Sequence, residues 1–140
     1  MRPMLKFFRS KRKPARPRIL IADDEPDLLS TIQCQLRWCR YDVTTAANGL
    51  ETIEKARREK PDLILLDVNM PVMNGHQVLE RLRANPDLAS IPVIMVTAMY
   101  EPKDIAVVSA YGVADYVTKP FDFSELTEKI SNALDGGATG

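Results

Sequence analysis

No stretch of this 140-residue sequence is long and apolar enough to span a bilayer, so the chain does not read as an integral membrane protein. Near the N-terminus Met4, Leu5, Phe7 and Phe8 are interrupted by Lys6 and stop at Arg9, which leaves no apolar segment for a secretory signal; the expected location is cytoplasmic. Cysteine is scarce, at two residues. Cys34 and Cys39 are five apart on one expected helix, point about 140° apart and are expected to be reduced thiols. Glycine-rich nucleotide fingerprints are missing as well. The one histidine, His76, is expected on a helix surface. Acidic residues are lacking from positions 1–18, which hold eight of the 19 Lys/Arg, leaving 11 bases against 19 acids in the remainder, a balance of −8.

What is present is one acidic domain behind a basic segment. With 45% apolar and 27% charged residues the composition is that of a single globular domain. Residues 1–17 are expected to form a flexible basic tail, 18–135 the domain, and the glycine-rich 136–140 a flexible end. Leu5, Phe7 and Phe8 beside the cluster Lys11 to Lys13 allow a weak contact of residues 1–18 with an anionic membrane or nucleic acid.

From Arg18 onward apolar runs alternate with helical spacings. Ile19–Ala22 is an expected strand ending at Asp23 and Asp24, and Pro26 suits a first helical turn. Leu28, Leu29, Ile32 and Leu36 line that helix. Tyr41–Ala46 is a second strand, Asn48 and Gly49 a turn, and Leu50, Ile53 and Ala56 a second helical face that Pro61 ends. Leu63–Leu66 form an unbroken apolar run closed by Asp67, the pattern of a strand buried on both faces. Val78, Leu79 and Leu82 mark a third helix, Val93–Val96 a fourth strand ending at Thr97, and Ile105, Val107 and Val108 a helix stopped by Gly112. A fifth strand over 113–118 ends beside Lys119, and a last helix carries Leu126, Ile130, Ala133 and Leu134, capped by Asp122 or Ser124. Five such repeats predict an α/β fold, a doubly wound (βα)5 parallel sheet of flavodoxin-like order 2-1-3-4-5.

In that architecture the carboxyl ends of strands one, three, four and five meet, bringing together Asp23, Asp24, Asp67, Thr97 and Lys119. At about 4 Å a like-charge pair costs on the order of 4 kcal/mol at an effective dielectric of 20. One lysine does not offset three carboxylates, so a hard divalent cation is implied, and an all-oxygen ligand set favours Mg2+. A cation beside a strand-end aspartate, with a hydroxyl and an ammonium facing it, suits phosphoryl transfer onto Asp67. An aspartate-nucleophile hydrolase is disfavoured, because the strand ends Asp-Val-Asn and lacks a second acid two residues on.

The segments ILIADDEP, LILLDVNMPVMNG, VIMVTA and GVADYVTKPF closely resemble, in order and spacing, the receiver domain of bacterial two-component response regulators, and the resemblance covers residues 18 to about 135. It implies a stand-alone, chemotaxis-regulator-like signalling module rather than an enzyme in the ordinary sense, one that catalyses its own phosphorylation and dephosphorylation. Asp67 is then the phosphoacceptor, and Asp24, Asp67 and the Asn69 carbonyl are the Mg2+ ligands, with Asp23 acting through water. Lys119 pairs with the phosphoryl group ahead of a cis bond to Pro120. Thr97 and Tyr116 form a conformational switch. The donor is a phosphohistidine on a sensor kinase or phosphotransfer protein, and the target is a protein read by the face of the helix before Gly112, the fifth strand and the last helix; no DNA-binding domain is expected. The alternative is a phosphotransfer intermediate or phosphate sink. Apolar Met99, two past Thr97, and Asn69 predict slow self-dephosphorylation. Gly75 is expected to let the chain turn into its helix.

Overall fold

The computed structural model describes residues 16–98 and 110–135. Its elements are β1 (Arg18–Ala22), α1 (Pro26–Trp38), β2 (Asp42–Ala46), α2 (Gly49–Glu59), β3 (Leu63–Asp67), α3 (Gly75–Ala84), β4 (Val93–Thr97), β5 (Asp115–Thr118) and α4 (Phe123–Leu134). The strands form one parallel sheet in the order β2-β1-β3-β4-β5, the expected topology. All five residues of β3 are buried, as are all five of β4, which is why both read as unbroken apolar runs.

Alternation along β3 divides the core. Ile64 and Leu66 pack with Ile53, Ala56, Leu79 and Leu82 of α2 and α3. Leu63 and Leu65 pack with Ile32 and Leu36 of α1 and Leu126 and Ile130 of α4. Each face of the sheet is thus closed by two described helices.

Several local expectations differ from the structure. Leu50 is exposed, because the buried stripe of α2 runs through Gly49, Thr52, Ile53 and Ala56, and Leu50 is turned about 100° from Gly49. Asn48 is the cap of that helix, accepting from Glu51 N at 2.9 Å. Gly75 opens α3 as expected, and what demands glycine there is close approach of α3 to the end of β3, since a Cβ would lie 2.4 Å from the Asp67 carbonyl oxygen. His76 is partly buried rather than on the surface. Cys39 caps α1 instead of lying within it, and both cysteines are free and exposed. Asp122, one of the two expected caps, is the N-cap residue of α4, although its side chain makes no capping bond, and Ser124 lies inside the helix.

Of the helix expected around Ile105, Val107 and Val108, the described residues include only its end, Ala110 and Tyr111, followed by Gly112 at φ 65°. Met99 and nearly all of the basic tail lie outside the described residues. Pro17, however, is buried, and its carbonyl accepts from Asp42 N at 2.9 Å. No helix among the described residues is long and apolar enough to cross a membrane.

Candidate functional site

The carboxyl end of the sheet collects the charged groups because each strand stops where its apolar run stops. Asp23 follows β1, Asp67 ends β3, Thr97 ends β4 and Lys119 follows β5. Main-chain bonds hold these ends in place: Asp23 N donates to Ala46 O at 3.0 Å, Val68 N to Val96 O at 3.0 Å and Lys119 N to Thr97 O at 2.7 Å. Beyond β3 the chain is drawn back by Gly75 N, which donates to Val68 O at 2.8 Å. Asn74 and Gln77 then close a reciprocal capping box at the start of α3. The phosphoacceptor candidate therefore sits between a rigid strand and a rigid helix start.

One carboxylate oxygen from each of Asp23, Asp24 and Asp67 lies within 4.8 Å of the others. Asp23 and Asp67 are buried and Asp24 is exposed. Lys119 Nζ donates to Asp23 Oδ2 at 2.9 Å and lies 3.6 Å from Asp67 Oδ1. Burial, and then the neighbouring Asp23 charge, push the Asp67 carboxyl up to about 6, while Lys119 and the Asn69 N–H pull the other way. Burial alone would lower the Lys119 ammonium, but hydrogen bonds to Asp23 and Glu25 and the charge of Asp67 hold it above the ordinary lysine range. A dense, partly desolvated set of carboxylate oxygens whose central member resists ionisation fits a hard divalent cation such as Mg2+.

The expected residues are distributed as follows. Asp23, Asp24, Asp67 and Lys119 converge directly. Asn69 stands at the mouth, its N–H 3.4 Å from Asp67 Oδ1. Thr97 is buried next along β4 from Val96, the register partner of Asp67. Tyr116 lies on β5 opposite Met95 and is exposed, and the Lys119-Pro120 bond is cis.

Two participants were not anticipated. Glu25 Oε1 accepts from Lys119 Nζ at 3.1 Å, making it a third carboxylate near that ammonium. It lies within ILIADDEP, but an acid just before Pro26 reads equally as helix-start chemistry. Lys129, on α4, donates to Tyr116 O at 2.8 Å, and nothing local in the sequence signals a contact across 13 residues.

The family model described as "Response regulator receiver domain" matches residues 19–131. The DNA-binding dual master transcriptional regulator RpaA of Synechocystis sp. is 39% identical over 118 residues, covering 84% of this chain and 49% of that protein. The alkaline phosphatase synthesis transcriptional regulatory protein PhoP of Bacillus subtilis is 38% identical over 117 residues, covering 84% and 48%. The chain thus spans about half the length of these curated relatives. Among solved structures, the chemotaxis protein CheY4 of Vibrio cholerae superposes with a TM-score of 0.80 at 30% identity, covering 84% of this chain and 98% of that one. A CheY-like receiver domain protein from Methanospirillum hungatei gives 0.82 at 30%, covering 87% and 96%. Fold, strand-end chemistry and sequence similarity over most of its length agree, and the chain belongs to the response regulator receiver domain family of two-component signalling.

Proposed function

We propose that this chain receives a phosphoryl group on Asp67 from a phosphohistidine of a sensor kinase or phosphotransfer protein and converts the event into a changed protein-binding face. The observation that carries this reading is Lys119 reaching across the acidic cluster, 2.9 Å from Asp23 and 3.6 Å from Asp67. An Asp67 carboxylate oxygen attacks phosphorus, the P–N bond breaks, and its electron pair leaves on the donor imidazole, which takes up a proton. Asp23, Asp24, Asp67 and the Asn69 carbonyl would hold Mg2+, which when bound supplies positive charge against the phosphoryl oxygens. Lys119 supplies a second positive charge from the opposite side. Thr97 donates its hydroxyl to a phosphoryl oxygen, and Tyr116 turns inward from the exposed face of β5.

The acyl phosphate carries about −1.5 to −2 charges at neutral pH, taking phosphoserine as a guide, in place of the single charge of the carboxylate. That charge is what draws Lys119 and Thr97 and biases the two positions of Tyr116. A cytoplasmic setting and a protein target follow from the same reading.

The test is incubation of the full chain with acetyl phosphate and Mg2+, followed by intact mass measurement. Wild type is expected to gain one phosphoryl group and Asp67→Ala none. Absence of label on wild type, or equal label on Asp67→Ala, overturns the reading.

A further inference from the structure

Tyr116 is held from outside the phosphorylation site by a lysine that no expectation included. Leu126 and Ile130 are fully buried and fix the rotation of α4, which leaves Lys129 at the border of core and solvent. From there its Nζ donates to Tyr116 O at 2.8 Å and lies 5.6 Å from the centroid of the Tyr116 ring. Asp115 Oδ1 at 3.4 Å and Glu125 Oε2 at 3.5 Å flank the same ammonium. Asp115 Oδ1 also accepts from Tyr116 N at 2.8 Å. Both main-chain polar groups of Tyr116 are thereby anchored, and the cation is fixed beside the ring face.

We infer that Lys129 is a positioning residue that favours the outward orientation of the Tyr116 ring and so sets the resting balance of the switch; this rests on the reading that Tyr116 turns inward on phosphorylation. Only interactions that differ between two states can bias them. The bond to the Tyr116 carbonyl and the two ion pairs involve main chain and other side chains, so they survive when the ring turns. The contact of the ammonium with the ring does not, because an inward ring leaves it behind. Lys129 therefore opposes activation through one contact, and its ion pairs serve to hold the cation where that contact is made. Because apparent affinity scales with the fraction of protein in the competent state, whatever weakens the outward state strengthens binding of a phosphoryl mimic at Asp67 by up to the same factor.

The experiment measures the apparent affinity of the full chain for beryllofluoride with Mg2+ by calorimetry, together with the NMR signal of 13C-labelled Tyr116. Lys129→Met is expected to bind the mimic roughly two- to five-fold more tightly, the range of one exposed cation–π contact, and Lys129→Arg to behave as wild type. In a Tyr116→Ala background Lys129→Met should bring no further gain, since the ring is gone. Equal affinity of wild type and Lys129→Met, or the same gain in the Tyr116→Ala background, overturns the role of Lys129. If wild type binds the mimic but the Tyr116 signal does not move, the switch reading itself falls and this inference with it.

Discussion

At the scale of the residue, Asp67 pairs function with instability. Its carboxyl is raised to about 6 from an ordinary 3.8, first by burial and then by Asp23. Below the lower value the group is neutral in folded and unfolded chains alike and shifts nothing. As pH rises towards about 6 the unfolded chain releases its proton first, so folding stability falls. The full shift corresponds to at most about 3 kcal/mol at neutral pH. Asp67→Asn removes the ionisation, so in chelator it is expected to melt above wild type at pH 7.5, with the difference shrinking to near zero by pH 4. A difference that stays constant across that range, in thermal melts at several pH values, contradicts the account. Glu25 belongs to the same scale: it shares Lys119 with Asp23 in the resting protein, so the ammonium is already paired when a phosphoryl group arrives.

At the scale of the element, the decisive contact is between the end of β3 and the start of α3. A Cβ on Gly75 would meet the Asp67 carbonyl oxygen at 2.4 Å and Val68 Cα at 2.8 Å, both on the main chain and neither free to give way cheaply. Gly75→Ala is expected to lower stability by about 1–3 kcal/mol, the usual range for overpacking. It should also slow phosphorylation of Asp67, because relief of the clash moves α3 away from the strand that carries the acceptor. Urea unfolding and the rate of label from acetyl phosphate check both halves; unchanged values in both would show that the junction yields. The opposite rim of the sheet shows how an edge is protected. Asp42 N and Ala46 O bond inward to neighbours of β1, so by alternation Thr45 O faces outward from β2, where Lys55 caps it.

At the scale of the whole molecule, what the sequence reveals depends on how far apart the cooperating residues lie. Strand ends were legible because an apolar run and the charge that stops it are adjacent, as in Leu63 to Asp67, and parallel topology then brings those ends together without further information. Leu50 misled because a stripe read from three positions fixes the helix rotation poorly. Arg83 was invisible because its acceptors are main-chain carbonyls, which carry no residue identity, and the same holds for the bond from Lys129 to Tyr116 O. Arg83 is the clearer case: from α3 its Nε donates to Tyr111 O at 2.8 Å, and one terminal nitrogen donates to Ala89 O at 3.1 Å and Ile91 O at 3.0 Å. One guanidinium thus ties α3, the connection into β4 and the turn before β5, with burial lowering its affinity for the proton. The planar fork, whose other terminal nitrogen donates to Gly112 O at 3.4 Å, reaches four carbonyls at once, whereas an ammonium at that position would reach fewer. Arg83→Met removes the donors while keeping much of the apolar stem, and is expected to cost about 2–4 kcal/mol as the carbonyls lose charge-assisted bonds. Arg83→Lys should recover part of that loss. The measurement is the urea midpoint, which should fall with its slope unchanged; an unshifted midpoint would mean that water replaces the guanidinium without cost and that α3 and the two connections hold their places without it.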